Sequence, residues 1–315
     1  MANSTRGNAS TFGSTLVRSV VRSQSHERSG APRFSFLIYA ILIVGACISL
    51  APFLFMIMTA FKSYGSLINN NFWPWPPLGS EALQWHNYPD AIQEVGWDPQ
   101  WGTWLFVRYA ANSIIVAAAT LTGVLLTSSL AAYAFAQMDL PGKNALFLLV
   151  LATVMVPSDL VLVPKVVLMF DLGWYNTYAA LTVPFLVSVF GIFLLRQFFR
   201  QVPRDLYDAA RIDGAGHVRY LRSVMLPLSY PAVITLALFT FVWSWDEFKW
   251  PLLVTRDTNM RVLGVGLQQF MVGEGGNNAQ LLMALATLVV APVLVFYIFT
   301  QKHFTDAILT SGIKA

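Results

Sequence analysis

The stretch Pro203–Pro231, PRDLYDAARIDGAGHVRYLRSVMLPLSYP, concentrates charged side chains between two apolar segments. Within it, Asp208 lies four residues after Arg204 and three before Arg211, a spacing that predicts ion pairs along one flank of a helix. Ion pairs of this kind stabilise a helix and are not a catalytic arrangement. We call this stretch the elbow, because its composition predicts two short helices joined by a turn.

Small residues in the elbow predict close contact with another surface. Ala209 and Ala210 leave room for a second backbone or side chain to approach, and Gly214 and Gly216 permit a sharp turn. Pro203 suits the first turn of a helix, because its missing N–H costs nothing there. The elbow is therefore predicted to be a docking segment.

Arrangements typical of catalysis are absent from the sequence. The histidines are widely scattered, without metal-ligand spacing: His26, His86, His217 and His303. There is no Gly-x-Ser-x-Gly motif of a nucleophilic serine. Gly142-Lys143 lacks the first glycine of a phosphate-binding loop, because Gln137 stands at that position. The sequence predicts a non-catalytic chain that binds no metal or cofactor, so that any ATP is hydrolysed by a partner.

A second polar cluster ends an apolar run, in the segment FVWSWDEFKWPLLV. Trp243 and Trp245 offer ring faces to a sugar, and Asp246 and Glu247 offer acceptors to its hydroxyls. Two interpretations stay open: these residues line a translocation path, or they form an aromatic belt at the outer membrane interface.

Composition places the chain in a membrane. Of its 315 residues 56% are hydrophobic and 11% are charged, and the mean hydropathy is +0.57, too apolar for an ordinary soluble domain. The net charge of +4 does not indicate nucleic acid, because the arginines follow the predicted membrane faces. Cys47 is the sole cysteine, so no intrachain disulfide can form.

The apolar segments predict an all-α integral membrane protein with six transmembrane helices and both termini in the cytoplasm. The predicted spans are 34–61, 108–137, a third beginning at 144, 175–199, 228–254 and 281–300. Arginines before the first span and in 200–222 set this orientation, because positive charge accumulates on the cytoplasmic side.

Three segments leave alternatives open. Residues 1–33 are interpreted as a disordered cytoplasmic tail, although their Arg- and Ser-rich character also resembles an organelle transit peptide. The Trp-rich outer loop within 62–107 either stacks on sugar or rests on lipid headgroups. The third span, interrupted at Pro157, is either a broken segment at an outer mouth or a span that ends there before an interfacial helix.

The elbow resembles the EAA loop of ABC-importer permeases of the maltose/carbohydrate type. That pattern is Glu-Ala-Ala, two residues, Asp-Gly-Ala, eight residues, Ile, two residues and Pro. Asp208-Ala209-Ala210, Asp213-Gly214-Ala215, Val224 and Pro227 stand at those spacings, with conservative departures at Asp208 and Val224. Further segments also resemble this family: 51–62, Pro157 to Pro164, 172–177, 245–248 and 311–314. Members usually carry Asn at the position of Asp246, so this chain places a charge where the family has an amide.

The resemblance implies a non-catalytic permease subunit of the bacterial or archaeal cytoplasmic membrane that imports a sugar or sugar-like solute by alternating access. The implied partners are a second homologous permease, two ABC ATPase subunits that bind ATP and Mg²⁺, and an extracytoplasmic solute-binding protein. The implied ATPase-coupling residues are Asp208, Ala209, Ala210, Asp213, Gly214, Ala215 and Pro227.

The resemblance also divides the chain into regions. A cytoplasmic tail, 1–33, precedes the first helix, 34–61, and an extracytoplasmic loop, 62–107; the permease core, 108–304, contains the coupling loop 200–227 and is followed by a cytoplasmic tail, 305–315. Two other classes stay open: an ion-coupled secondary transporter that uses the Asp246 cluster as a relay, and a membrane anchor without transport of its own.

Overall fold

The computed structural model describes residues 32–68, 83–272 and 278–312, which are mainly helical. The chain divides into two compact units, Met1–Phe55 and Met56–Ala315. The predicted tail 1–33 lies outside the described residues except for its last two, which already belong to the first helix.

The helices and strands are numbered here in chain order. The helices are α1 Pro32–Ala60, α2 Tyr64–Ile68, α3 Asn87–Glu94, α4 Leu105–Gln137, α5 Lys143–Ala152, α6 Leu162–Asp171, α7 Tyr178–Thr182, α8 Val189–Phe199, α9 Arg204–Ile212, α10 His217–Tyr220, α11 Leu226–Leu228, α12 Tyr230–Asp246, α13 Lys249–Val254, α14 Leu263–Val272 and α15 Ala279–Gly312. Single 3-10 turns occupy Thr153–Met155, Ser158–Val161, Val183–Phe185 and Thr258–Met260, and a π-helical turn occupies Leu221–Met225. A short antiparallel ribbon, β1 Trp97–Asp98 and β2 Thr103–Trp104, is a departure from the all-α prediction.

By length and composition, the described helices allow between three and six membrane spans. Phe36–Ala60, Leu105–Gln137 and Ala279–Gln301 are each long and apolar enough alone. Three bent pairs pass the same test together: Lys143–Met155 with Ser158–Asp171 at 86°, Tyr178–Phe185 with Val189–Phe199 at 42°, and His217–Leu228 with Tyr230–Asp246 at 85°.

The first bend lies at the predicted interruption. Val156 is extended, as the residue before a proline prefers, and Pro157 cannot donate the N–H that would continue the helix. The following helix leaves at 86°, so the predicted interruption at Pro157 is present.

Two predicted segments at the C-terminal end differ from the structure. The predicted span 228–254 is divided, because α12 ends at Asp246 and Glu247 is extended. The Glu247 carboxylate accepts a hydrogen bond from the Trp250 N–H at 3.0 Å, which caps the separate helix α13. The segment between the last two predicted spans, 228–254 and 281–300, contains the apolar helix α14, and α15 continues into the predicted tail 305–315.

Helix α4 is the element against which α8 and α12 pack most extensively. Its 33 residues make it about 50 Å long. Small side chains allow close approach: a Cβ added to Gly191 of α8 would lie 2.6 Å from the Ser128 Oγ of α4. This packing of small residues is the kind that membrane helices use.

Hydroxyl groups of α4 satisfy backbone carbonyls at the break between α7 and α8. The Thr127 Oγ1 donates to the Leu186 carbonyl at 2.6 Å, and the Ser128 Oγ donates to the Ser188 carbonyl at 3.5 Å. An unpaired carbonyl in hydrocarbon costs several kcal/mol. These two residues of α4 therefore stabilise the bend that follows α7.

At its other end, α4 carries a buried ion pair. The Arg108 Nη1 lies 3.0 Å from the Asp98 Oδ2, with side-chain exposures of 10% and 3%. The Arg108 guanidinium also lies 4.2 Å from the Trp101 ring centroid, and its Nε donates to the Asn259 carbonyl at 3.1 Å. Arg108 thus ties the β-ribbon and the 258–260 turn to the start of α4.

Asn112, one turn further along α4, extends this network. Its Nδ2 donates to the carbonyls of Asn259 and Arg261, at 2.8 Å each. Its Oδ1 accepts from the Tyr178 hydroxyl at 2.6 Å. Asn112 is fully buried, so its hydrogen-bonding groups are matched inside the protein.

The Arg108–Asp98 pair should dominate the stability of this end. We expect Asp98→Ala to lower the free energy of unfolding by about 3–5 kcal/mol, because it leaves Arg108 buried and uncompensated. Asp159→Ala is the matched control, since it breaks an ion pair with Lys249 whose side chains are 75% and 61% exposed, and exposed pairs contribute only about 0–1 kcal/mol. Thermal unfolding of the detergent-purified protein measures both, and equal shifts would contradict this assignment.

Candidate functional site

The turn of the elbow closes α9 with two hydrogen bonds. The Gly214 N–H donates to the Arg211 carbonyl at 3.1 Å, and the Ala215 N–H donates to the Ala210 carbonyl at 2.8 Å. Gly214 has φ +75°, in the left-handed region that favours glycine. This is the Schellman arrangement, which satisfies carbonyls that a helix end leaves unpaired.

This arrangement gives a physical reason for the spacing of the sequence motif. Ala210 supplies the carbonyl, Asp213 ends α9, Gly214 takes the left-handed conformation and Ala215 returns its N–H to Ala210. The predicted turn is present. Pro203, however, stands one position before the first helical residue, Arg204, and not inside the first turn.

The predicted coupling residues divide between two faces of the elbow. Asp208, Ala209 and Asp213 are exposed, whereas Ala210 is partly buried and packs against the core at this end of the bundle. That core is formed by buried side chains of α4, α8, α12 and the elbow itself: Val124, Ala132, Tyr133, Leu195, Phe199, Tyr220, Leu221, Met225, Ala232 and Leu236. Hence the inner face of the elbow packs against this core, and its outer face is exposed.

The ion pairs predicted for Asp208 are replaced by a different pair. Among the described residues, the Arg204 Nη2 lies 3.7 Å from the Asp139 Oδ1 in the turn after α4, and no ion pair joins Asp208 to Arg204 or Arg211. The cause is the fold, which brings 139 beside the start of α9. Asp208 itself is exposed.

The elbow also exposes apolar side chains that the motif did not indicate. Ile212 is 87% exposed and Val218 is 73% exposed, on either side of the Gly214 turn. Their signal in the sequence is weak: each is a lone apolar residue in a basic stretch. Exposed apolar groups rimmed by polar ones mark interaction sites when they cluster.

Pro227 lies three residues before the start of α12 at Tyr230. It stands in α11, directly after the π-helical turn Leu221–Met225, and it is exposed. The chain then bends by 85° before α12 begins. A π-helical turn next to a proline is a typical place for such a bend.

A cavity of about 560 Å³ lies where α4, α12 and the break between α7 and α8 meet. Its aromatic and hydroxyl lining includes Trp243, Phe185, Phe239, Thr120, Ser188 and Thr240. The described lining carries no ionised side chain. Apart from Trp243, the sequence did not indicate these residues, because they come from three separate helices.

The remaining members of the predicted 243–247 cluster point elsewhere. Trp245 is buried against α15, and its Nε1 donates to the Val289 carbonyl at 2.9 Å. Asp246 is exposed at the end of α12. The carboxylate of Glu247 caps α13. The structure therefore places Trp243 alone of the four at the large cavity.

Within 36–68, 83–272 and 278–301, no group of three or more His, Cys, Asp and Glu side chains could hold a metal ion. Three described tryptophans of the predicted outer loop contact other side chains of the protein. Trp97 lies edge-on to Trp104 across the ribbon, with ring centroids 5.0 Å apart, and Trp101 covers Arg108. Trp73 and Trp75 lie outside the described residues.

Known proteins are similar to this chain in sequence. Residues 123–309, which include the elbow, match the family described as binding-protein-dependent transport system inner membrane component. The arabinooligosaccharides transport system permease protein AraQ of Halalkalibacterium halodurans is 31% identical over 288 residues, 91% of this chain and 99% of that protein. The sn-glycerol-3-phosphate transport system permease protein UgpE of Rhizobium meliloti is 30% identical over 272 residues, 86% of this chain and 94% of that protein.

A solved structure has the same fold. A chain of a bacterial ABC transporter involved in the import of the acidic polysaccharide alginate superimposes with a TM-score of 0.75 at 21% identity, over 86% of this chain and 96% of that one. The resemblance first seen in the elbow is thus confirmed over most of the chain. The protein belongs to the binding-protein-dependent transport family, as one of its inner membrane permease components.

Proposed function

We propose that this chain is one permease subunit of an ATP-driven importer that moves an uncharged sugar by alternating access across a bacterial or archaeal cytoplasmic membrane. The observation that carries the proposal is the elbow: a rigid turn anchored on its inner face and exposed on its outer face. Its partners would be a second homologous permease, two ABC ATPase subunits and an extracytoplasmic solute-binding protein. ATP and Mg²⁺ would be bound by the ATPases.

The length of α4 supports a topology of six spans with both termini in the cytoplasm. The Arg108 network and the elbow contact opposite ends of this helix, at Arg108 and Tyr133. At 1.5 Å per residue these positions are about 37 Å apart, which matches the thickness of a bilayer. Exposed Arg211, Arg219 and Arg222 favour the cytoplasmic face for the elbow.

The outer face of the elbow has the composition of a docking surface. Exposed Asp208 and Asp213 offer carboxylates to donors on an ATPase, while Ala209 permits close approach and Ile212 offers an apolar anchor. The Schellman turn holds these groups in one geometry without a partner. Movement of the ATPase dimer would thus reach the spans as a rigid-body displacement.

The cavity supports a sugar as the solute. Aromatic rings suit the apolar faces of a pyranose, and Thr120, Ser188 and Thr240 bring hydroxyls to its edges. Lys165 lies 5.5 Å from the Phe185 ring centroid but is not part of the lining. An anion would lose its hydration here without gaining a partner in the described lining, so the cavity favours a neutral oligosaccharide over a phosphate ester or an acidic polysaccharide.

The alternative of an ion-coupled secondary transporter has no structural support in the Asp246 cluster. Such a mechanism needs an ionisable relay inside the membrane, whereas Asp246 is exposed and Glu247 caps a helix. Family membership favours the ATP-driven importer.

Gly214→Val should release the ATPase. A β-branched residue at φ +75° is strained by about 1–2 kcal/mol, which opens the turn that orients the docking face. We expect about tenfold less ATPase to co-purify with the tagged chain in mild detergent, and ATP hydrolysis in the assembled complex to lose its link to uptake.

Gly216→Val is the matched control, because Gly216 has φ −79° and no atom lies within 4 Å of an added Cβ. It should retain the ATPase. If wild-type protein purified without an ATPase and still transported, the ATP-driven importer would be the wrong assignment. If Gly214→Val retained the ATPase, the docking role of the elbow would be wrong.

Trp243→Ala should raise the solute concentration at half-maximal uptake about tenfold, because removing a large ring from a binding surface costs about 1.5 kcal/mol or more. Trp243→Phe should recover most of the loss. Val242→Ala, at an exposed neighbour outside the lining, is the control. Uptake of radiolabelled neutral and acidic oligosaccharides into proteoliposomes measures this, and preference for the acidic series would contradict the solute class.

A further inference from the structure

A side-chain hydrogen bond joins the elbow directly to α4. The Tyr133 hydroxyl lies 2.7 Å from the His217 Nδ1, across 84 positions of the chain. Tyr133 belongs to α4 and is 4% exposed, whereas His217 is exposed at the start of α10. The buried hydroxyl of Tyr133 thus has its partner on the elbow.

Ring contacts extend this link to α9. Tyr207 stacks on His217, with ring centroids 5.9 Å apart and planes 25° from parallel, and it meets Tyr220 edge-on at 5.2 Å. Tyr133 also contacts both rings, at 5.8 Å from His217 and 6.3 Å from Tyr220. A continuous path therefore runs from α9 through Tyr207 and His217 to α4.

The path along the backbone is less direct. From α10 the chain passes through the π-helical turn Leu221–Met225 and then bends by 85° before α12. Bends and π-helical turns absorb displacement, because their hydrogen bonding is irregular. α4, in contrast, is a continuous helix of 33 residues.

We propose that Tyr133 and His217 are a positioning pair that transmits displacement of the elbow to α4. This inference rests on the proposed function, since it assumes that an ATPase moves the elbow. His217 lies four residues after Asp213, outside the Asp-Ala-Ala and Asp-Gly-Ala segments of the motif. Tyr207 fixes the plane of the imidazole, and Tyr133 receives the movement through its hydroxyl.

Two substitutions that remove one partner each test the hydrogen bond itself. Tyr133→Phe keeps the ring and removes the hydroxyl, so ATP hydrolysis should continue while solute imported per ATP falls about fivefold, corresponding to about 1 kcal/mol. His217→Leu should lower it further, because it leaves the buried Tyr133 hydroxyl unpaired. His217→Asn should restore at least half of the wild-type ratio, since an amide atom replaces Nδ1.

Tyr220→Phe is the matched control within the same ring cluster. The Tyr220 hydroxyl is buried without a hydrogen-bond partner in the described part of the chain. Its deletion therefore makes the same chemical change as Tyr133→Phe but breaks no bond. We expect an import ratio equal to that of the wild type.

The measurement uses the complete complex in proteoliposomes, with solute uptake and phosphate release recorded on one sample. The pair is supported if Y133F and H217L lower uptake per ATP, Y220F does not, and the double variant is no worse than H217L alone. The inference fails if Y133F keeps the wild-type ratio, if the two losses add, or if H217N is as impaired as H217L. A wild-type complex whose uptake ignores ATP would instead reject the proposed function.

Discussion

The structure depends on satisfying backbone carbonyls where helices break inside an apolar environment. A membrane offers no water to an unpaired carbonyl, and the described part of this chain contains three bent helix pairs. Helix α4 meets the need with its own polar side chains: Thr127 and Ser128 bond to the carbonyls at the α7–α8 break, and Asn112 bonds to those near the 258–260 turn. The polar groups of Thr127, Ser128 and Asn112 are therefore structural.

The same arrangement gives α4 its place in the proposed mechanism. One end is fixed by the buried Arg108–Asp98 pair, and the other end contacts the elbow through Tyr133. Between these ends lies the break between α7 and α8, whose carbonyls bond to side chains of α4. A stiff helix with anchored ends and adjustable neighbours suits alternating access, in which packed elements move as bodies.

The sequence predicted the elbow better than the cavity, because the elbow is formed by residues close together in the chain and the cavity by residues far apart. The elbow motif is a local hydrogen-bonded turn, so the spacing of Ala210, Gly214 and Ala215 already contains its geometry. The cavity combines side chains of three separate helices, and no local pattern brings Thr120, Phe185 and Trp243 together. Predicting Trp243 and Trp245 as one group also neglected helical geometry: residues two apart point about 200° from each other. Accordingly, one lines the cavity and the other packs on α15.

Two ion pairs lie at opposite ends of α4. Arg108 and Asp98 neutralise each other at one end, Arg204 and Asp139 meet at the other, and the cavity between them has an uncharged lining in the described residues. In the proposed function, a solute crossing this region would meet rings and hydroxyls, whose contacts are individually weak. Strong charged contacts would fix a solute in one state, whereas weak ones allow entry and release alike. In this proposal, ion pairs fix the two ends of α4, and the solute binds weakly in the cavity between them.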